Sequence, residues 1–270
     1  MSQPAPTRMT DIAAAREVEL LAALLDHDRP PWRPGELPPL AHWLLFPPSA
    51  RQSRLGPDGH PLREDARLPR RMWAGGRVRF LVPVPLGAEV VRETTELSST
   101  EKTGRSGKMQ FLTLQHQISV DGRPAIEEEQ DIVYREASAP GVSNRPPAPE
   151  EPTPLPPILR QITVDTVALF RFSALTFNGH RIHYDQAYAT EVEGYPGLVV
   201  HGPFIATLLM DHFLRRHPGA EVARFAFRAM RPLFHMDPFT LGLTEDGSGG
   251  DLVAIDAQGG TAMQARVDVR

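Results

Sequence analysis

Residues 175–185 read LTFNGHRIHYD and carry one amide and two imidazoles within six positions: Asn178, His180 and His183. An unperturbed imidazole titrates near pH ~6.5, so a histidine here could take and return a proton at neutral pH. An amide cannot take a proton but can hold one through its oxygen or its NH2. Further along, His201-Gly202-Pro203-Phe204 opens an apolar helix. The first turn of a helix offers free N–H groups and a partial positive charge, suited to an oxygen that gains negative charge. Pro203 has no N–H, so the candidate donors are the amides of Gly202 and of Phe204 or Ile205.

Plainer readings compete at each position. Asn between a strand and a turn is common, because it tolerates left-handed backbone and bonds its own main chain, and Asn178-Gly179 is a hairpin signal. His180 reads as a surface or supporting residue. His180, His183 and Asp185, with His201 as a fourth, could suggest a metal set, but H-x2-H-x-D lacks the i, i+4 spacing of a helical zinc pair, so no metal is expected. His201 is either a cap residue with a packed ring or a direct participant. Arg71, in PRRMWAGG, and Arg181 could grip a carboxylate in bidentate fashion or be ordinary fold arginines. Lys102, Arg105 and Lys108, in TEKTGRSGK, read first as a solvated hairpin turn. SRLGPDGHP (53–61) is turn-rich and a possible pocket rim, and Trp43 and Trp73 are core by default.

The elements that must position these groups fall into two similar runs. The proline-rich stretch EASAPGVSNRPPAPEEPTPLPP removes backbone donors and fixes an extended path. It divides the chain into residues 1–136, a linker at 137–157, and residues 158–270. In the first part, Ile12, Ala15, Val18, Leu21, Leu24 and Leu25 recur with a helical period over Asp11 to Asp28, with Thr10 or Asp11 as the cap. RVRFLVPVPL (77–86), EVVRETTELSSTEKT (89–103), KMQFLTLQHQISVDG (108–122) and QDIVYRE then read as strands. The second part runs ITVDTVALFRFSALTF, the polar turn, the helix GPFIATLLMDHFLRRHPG, and four further strands. Pro203 suits the first helical position, Gly219 follows as a stop, and Phe204, Ile205, Leu208, Leu209 and Phe213 form one broad apolar face. A helix wrapped by a curved antiparallel sheet, once in each part, is the α+β pattern of a tandem (double) hotdog fold.

Composition narrows the chemistry. With 41% hydrophobic residues and 23% charged, the chain can build a core. A net charge of -4 and a pI near 6.2 offer no basic field, so nucleic acid is an unlikely main partner. The absence of cysteine excludes disulfides, thiolate nucleophiles and Cys-ligated zinc. No apolar run approaches the ~20 residues that span a bilayer, and Asp11, Glu17 and Glu19 argue against a transit peptide, so a cytoplasmic protein with no membrane partner is expected.

FSALTFNGHRIHYD followed by EGYPGLVVHGPFIATLL resembles the R-specific enoyl-CoA hydratase, or MaoC-like, family. That family carries a motif of the form G-D-x-N-P-L-H followed by H-G at the start of the central hotdog helix. Asn178 stands at the position of its catalytic Asp, His183 at that of its His, and His201-Gly202 at its H-G. The wording is similar to the branch containing mesaconyl-C4-CoA and itaconyl-CoA hydratases and hydroxyacyl-thioester dehydratases. PRRMWAGGRVRF and EKTGRSGKMQF resemble that branch's degenerate amino-terminal unit, so the likeness covers nearly the whole chain.

The resemblance implies reversible hydration of an enoyl-CoA, a short branched dicarboxylic one such as mesaconyl-C4-CoA or itaconyl-CoA, with no cofactor beyond the coenzyme A of the substrate. It puts the oxyanion contact on Gly202. With an amide at 178, Asn178 becomes a positioner and His183 the titratable group of the pair. A syn addition could then run both proton transfers through one imidazole, or a neighbouring acid such as Asp185 could assist. The resemblance also makes Arg71 or Arg181 a carboxylate contact, and Lys102, Arg105 and Lys108 contacts for coenzyme A phosphates. A hotdog thioesterase and a non-catalytic acyl-CoA-binding protein are the competing readings. A tandem fold pairs two units in one chain, which allows a monomer, while open sheet edges allow a homodimer.

Overall fold

The structure is a computed structural model that describes residues 6–62, 68–104, 107–137 and 142–270. Ten strands form one antiparallel sheet in the order β1-β3-β4-β5-β2-β7-β10-β9-β8-β6. The first-half strands are β1 (Thr7–Ile12), β2 (Arg70–Phe80), β3 (Glu89–Gly104), β4 (Gly107–Val120) and β5 (Arg123–Arg135). The second-half strands are β6 (Ile158–Ile162), β7 (Val222–Ala229), β8 (Phe239–Asp246), β9 (Gly249–Ile255) and β10 (Thr261–Val269). Read outward from β2 and β7, the two sides follow the same order, as expected of a tandem hotdog.

The halves meet where β2 pairs with β7, with Gly75 opposite Arg228 and Gly76 opposite Phe227. The glycines of PRRMWAGG are needed there. A Cβ on Gly75 would lie 2.7 Å from the Phe227 carbonyl oxygen, and one on Gly76 would lie 2.9 Å from the Phe227 ring and 3.1 Å from the Glu129 carbonyl oxygen. The Gly75 contact, with backbone, is too close for any side chain, and at Gly76 the Phe227 ring would have to give way.

Helix α3 (Gly202–Leu214) is the central helix. Every residue from Phe204 to Leu214 is buried, so the whole circumference is covered and not only the apolar face expected from the sequence. It packs against β2, β8, β9 and β10. The buried charge this entails is satisfied: Asp211 accepts from His27 at 2.6 Å, Arg160 at 2.7 Å and Arg215 at 2.8 Å. Truncating a wholly buried side chain such as Leu209 would cost about 3 kcal/mol.

Three sequence expectations change. The helix read over Asp11–Asp28 is a strand followed by a shorter helix, α1 (Ala15–Leu24). Residues Thr7–Ile12 pair with β3 from Thr94 to Glu89, and the gain from closing the sheet edge outweighs the helical spacing. The first half consequently has no long central helix among the described residues. In element order its place is taken by two 3-10 turns, Ala41–Leu44, preceded by Leu40 in left-handed backbone, and Gln52–Arg54.

The strand read over 77–86 lies earlier, at Arg70–Phe80, because Pro83 and Pro85 cannot donate to a ladder. The stretch before Asn178 is not a strand but helix α2 (Thr166–Leu175), started by the Asp165 carboxylate, which accepts from the Ala168 N–H at 2.8 Å.

Candidate active site

Helix α2 stops two residues before the motif, and Phe177 turns the chain through positive φ. The Asn178 N–H then donates to the Ser173 carbonyl at 2.8 Å. The Asn178 side-chain oxygen accepts the N–H of His180 at 3.0 Å, so the plain turn reading of Asn178-Gly179 holds. That bond uses one side of the amide. Its NH2 makes no hydrogen bond with the described residues and remains free to donate.

His183 ends a short 3-10 turn, Arg181–His183. Its Nδ1–H donates to the Val199 carbonyl at 2.8 Å, while the Val199 N–H donates to the Ile182 carbonyl at 3.0 Å. The ring is thereby fixed, and because a carbonyl only accepts, the lone pair lies on Nε2. Burial pushes His183 down to about 4, with the Val199 hydrogen bond opposing and the charge of His60 adding to the depression. The expected near-neutral titration is therefore corrected: His183 is a neutral base at physiological pH, and its protonated form is disfavoured.

His201 is wholly buried and stacks on His183, with ring centroids 3.6 Å apart at 20°. Its Nε2 is hydrogen bonded to the Ser173 hydroxyl at 2.8 Å, and it makes no side-chain cap. The packed-ring reading describes it: His201 backs His183. The same stacking brings the start of α3 beside the imidazole. The Ile205 N–H is taken by the His201 carbonyl at 3.0 Å, which leaves the amides of Gly202 and Phe204 without partners among the described residues. A Cβ at Gly202 would find its nearest neighbour at 3.8 Å, so the backbone there is not crowded.

The sequence of residues 40–235 matches the family described as hydroxyacyl-thioester dehydratase type 2. The chain belongs to this family. It is 46% identical over 267 residues to the mesaconyl-C(4)-CoA hydratase of Chloroflexus aurantiacus, across 96% of this chain and 93% of that protein. A solved MaoC-like dehydratase superposes with a TM-score of 0.73 at 15% identity, over 98% of this chain and 97% of its own. A Mycobacterium tuberculosis protein described as having a double hotdog fold gives 0.59 at 13% identity, over 100% of this chain and 96% of its own. As a hydroxyacyl-thioester dehydratase relative this protein is a hydro-lyase, and its fold is the tandem hotdog.

Within this dehydratase the remaining sequence candidates separate. Arg181 donates to the Asp185 carboxylate at 2.7 and 3.0 Å and to the Pro57 carbonyl at 2.9 Å, and its guanidinium lies 4.2 Å from the centre of the Tyr188 ring. Asp185 in turn accepts the Tyr188 N–H at 3.0 Å. Both residues are committed to holding the motif turn, which leaves Arg181 little for a substrate carboxylate and makes Asp185 a poor source of the missing acid.

Arg71 is half-buried on β2, makes no ion pair among the described residues, and is close enough for its charge to act on His180. Lys102 and Lys108 are exposed on the β3–β4 hairpin, with the Lys102 ammonium 5.2 Å from the centre of the Phe111 ring; Arg105 lies outside the described residues. His180 is buried rather than superficial, and burial pushes its pKa far down.

Sequence reasoning missed one contributor, Ser173, and gave a second, the 53–61 stretch, only as a possible pocket rim. Ser173 ties the motif to α2 through both its hydroxyl and its carbonyl. The loop around Asp58-Gly59-His60 docks directly on the motif, although Pro57 and Arg181 are 124 positions apart. The D-G-H tripeptide announces a turn, and nothing local announces its partner. Asp58, His60 and His180 are also a group whose ligand atoms all lie within 4.8 Å of one another, unlike the His180, His183, Asp185 set weighed from sequence.

Proposed function

We propose that this protein catalyses the reversible hydration of a short branched dicarboxylic enoyl-CoA such as mesaconyl-C4-CoA or itaconyl-CoA. The 46% identity to a mesaconyl-C(4)-CoA hydratase over nearly the full length carries the reading. Coenzyme A enters as part of the substrate, and no separate cofactor takes part.

In the proposed reaction the thioester oxygen lies against the free amides of Gly202 and Phe204. The Asn178 NH2 and the Nε2 of His183 hold a water molecule, and His183 takes its proton as the oxygen bonds to Cβ. Electron density then moves to the thioester oxygen, where the helix terminus receives it, and a proton is added at Cα. Arg71, which makes no ion pair among the described residues, is the better of the two sequence candidates for the substrate's free carboxylate. No helix among the described residues is long and apolar enough to cross a membrane, in keeping with the cytoplasmic setting we infer.

A panel of crotonyl, mesaconyl-C4, itaconyl and longer enoyl thioesters, followed by loss of conjugated absorbance and by product mass, tests the reading. Mesaconyl-C4-CoA or itaconyl-CoA should turn over fastest, and His183→Ala should lower kcat by about 10²-fold or more. Near-full activity in that variant would sink the assignment, and thiol release without loss of enoyl absorbance would indicate a thioesterase.

A further inference from the structure

Water addition needs a proton at Cα as well as a base for water. Asn178 cannot supply one, and the buried setting of His183 disfavours its imidazolium. Two carboxylates near the motif are occupied: Asp185 holds Arg181, and Glu193 is paired with the guanidinium of Arg70 and bonded to Tyr188.

The loop of residues 51–62 brings one further pair. The Arg181 N–H donates to the Asp58 carbonyl at 2.8 Å, and the Arg181 guanidinium to the Pro57 carbonyl at 2.9 Å. Gly59 has a φ of 89°, and a Cβ there would fall 1.8 Å from the Gly179 carbonyl oxygen, so only glycine allows this backbone-to-backbone seat.

Asp58 accepts two bonds from His60: the main-chain N–H at 3.1 Å and the Nδ1–H at 2.9 Å. Burial opposes ionisation of Asp58, but the hydrogen bond and charge of His60 hold it below the usual carboxylate range. The ring of His60 lies 4.1 Å from that of His180, which lies 5.3 Å from that of His183. The side chain of His60 is 20% exposed, so it can exchange protons with solvent. The groups around it are Asp58 in its own loop and His180 and His183 of the motif, with Arg70 and Arg71 of β2 acting on His180. Asp58 also acts electrostatically on Tyr188.

We propose that His60, its ring held by Asp58, is the second proton-transfer group of this site. The inference rests on the hydratase reading and supplies the acid that position 178 lacks. His183 accepts one proton from water as the C–O bond forms at Cβ, and the imidazolium of His60 gives one proton to Cα as the enolate collapses. His183 then returns its proton to solvent and His60 regains one, so the enzyme is restored and only water has been consumed. Asp58 is a positioning residue: it fixes the Nδ1–H of His60 and leaves Nε2 for the transfer.

The test uses the full chain with mesaconyl-C4-CoA and the variants His60→Ala, Asp58→Asn and His183→Ala. His60→Ala should lower kcat by about 10²-fold while KM changes by less than about threefold, and added imidazole should restore turnover in proportion to its protonated fraction. Asp58→Asn should lower kcat by about tenfold, because the ring keeps a hydrogen-bond acceptor but loses the charge behind it. Retention of more than about a third of wild-type kcat in His60→Ala, or a loss that imidazole does not rescue, overturns the proposal. Loss of wild-type activity on chelation with recovery on added zinc also overturns it, because Asp58, His60 and His180 would then be metal ligands. A wild type inert on every enoyl-CoA defeats the hydratase reading itself. Turnover abolished by His183→Ala but intact in His60→Ala leaves that reading standing and defeats only the role of His60.

Discussion

Two residues of the motif separate cleanly in what they can do. His183 has its Nδ1–H committed to Val199 and one face of its ring stacked on His201, so Nε2 is the nitrogen that can meet a reactant. Because burial brings it to about 4, the base is already unprotonated at neutrality. The acid limb of kcat/KM for hydration should therefore fall as the pH drops through about 4. An acid limb centred near 6.5 in rapid assays would mean that a different, better solvated group is the base.

Asn178 is both a turn residue and a proton holder. In Asn178→Asp the carboxylate can still accept the His180 N–H, so the melting temperature should change by no more than about 2 °C. The lost NH2 should lower kcat by about tenfold, and a variant faster than wild type would show that the amide is a handicap rather than a water contact.

At the scale of elements, the site depends on two close approaches of backbone. The β2·β7 seam joins the halves at Gly75, where an added Cβ would meet the Phe227 carbonyl oxygen at 2.7 Å. Gly75→Ala should destabilise by about 1–3 kcal/mol, measurable by denaturant unfolding, because a backbone oxygen in a ladder cannot move aside. An unchanged midpoint would mean that the seam is looser than these distances. Gly59 makes the second approach, against Gly179, and it joins the 51–62 loop to the motif. Helix α3 contributes twice, through the packing that fixes it across the sheet and through the open amides at its start.

For the molecule as a whole, burying several imidazoles together has a consequence for stability. Burial pushes His180, His183 and His201 down, with the charges of neighbouring imidazoles, His60 among them, adding to the effect. In the unfolded chain each takes its proton near pH ~6.5. Between that value and about 4 the unfolded state binds more protons than the fold, at His183 and at both neighbours. Stability should be full above about pH 6.5 and fall steadily toward pH 4, with proton uptake on unfolding at pH 5. A melting temperature that is flat between pH 7 and 5 would contradict the burial of this cluster.

The amino-acid sequence by itself determined four of the five strands of the second half, the helix that begins at Gly202 and the turn at Asn178-Gly179. Each is written in local periodicity, turn chemistry or short spacing. The repeated element order pointed to the tandem hotdog, and the MaoC-like wording of residues 172–209 paired Asn178 with His183 and pointed to hydratase chemistry. Tertiary structure decided the rest. The Thr7–Ile12 segment became a strand because β3 offers it a ladder, which a helical period cannot register. Arg181 and Asp185 were drawn to each other and to the 51–62 loop, so neither is free for the roles their positions suggested. His60 entered the site because Gly59 and Gly179, far apart in the chain, can touch without side chains between them, and a contact of that range leaves no mark in either stretch alone.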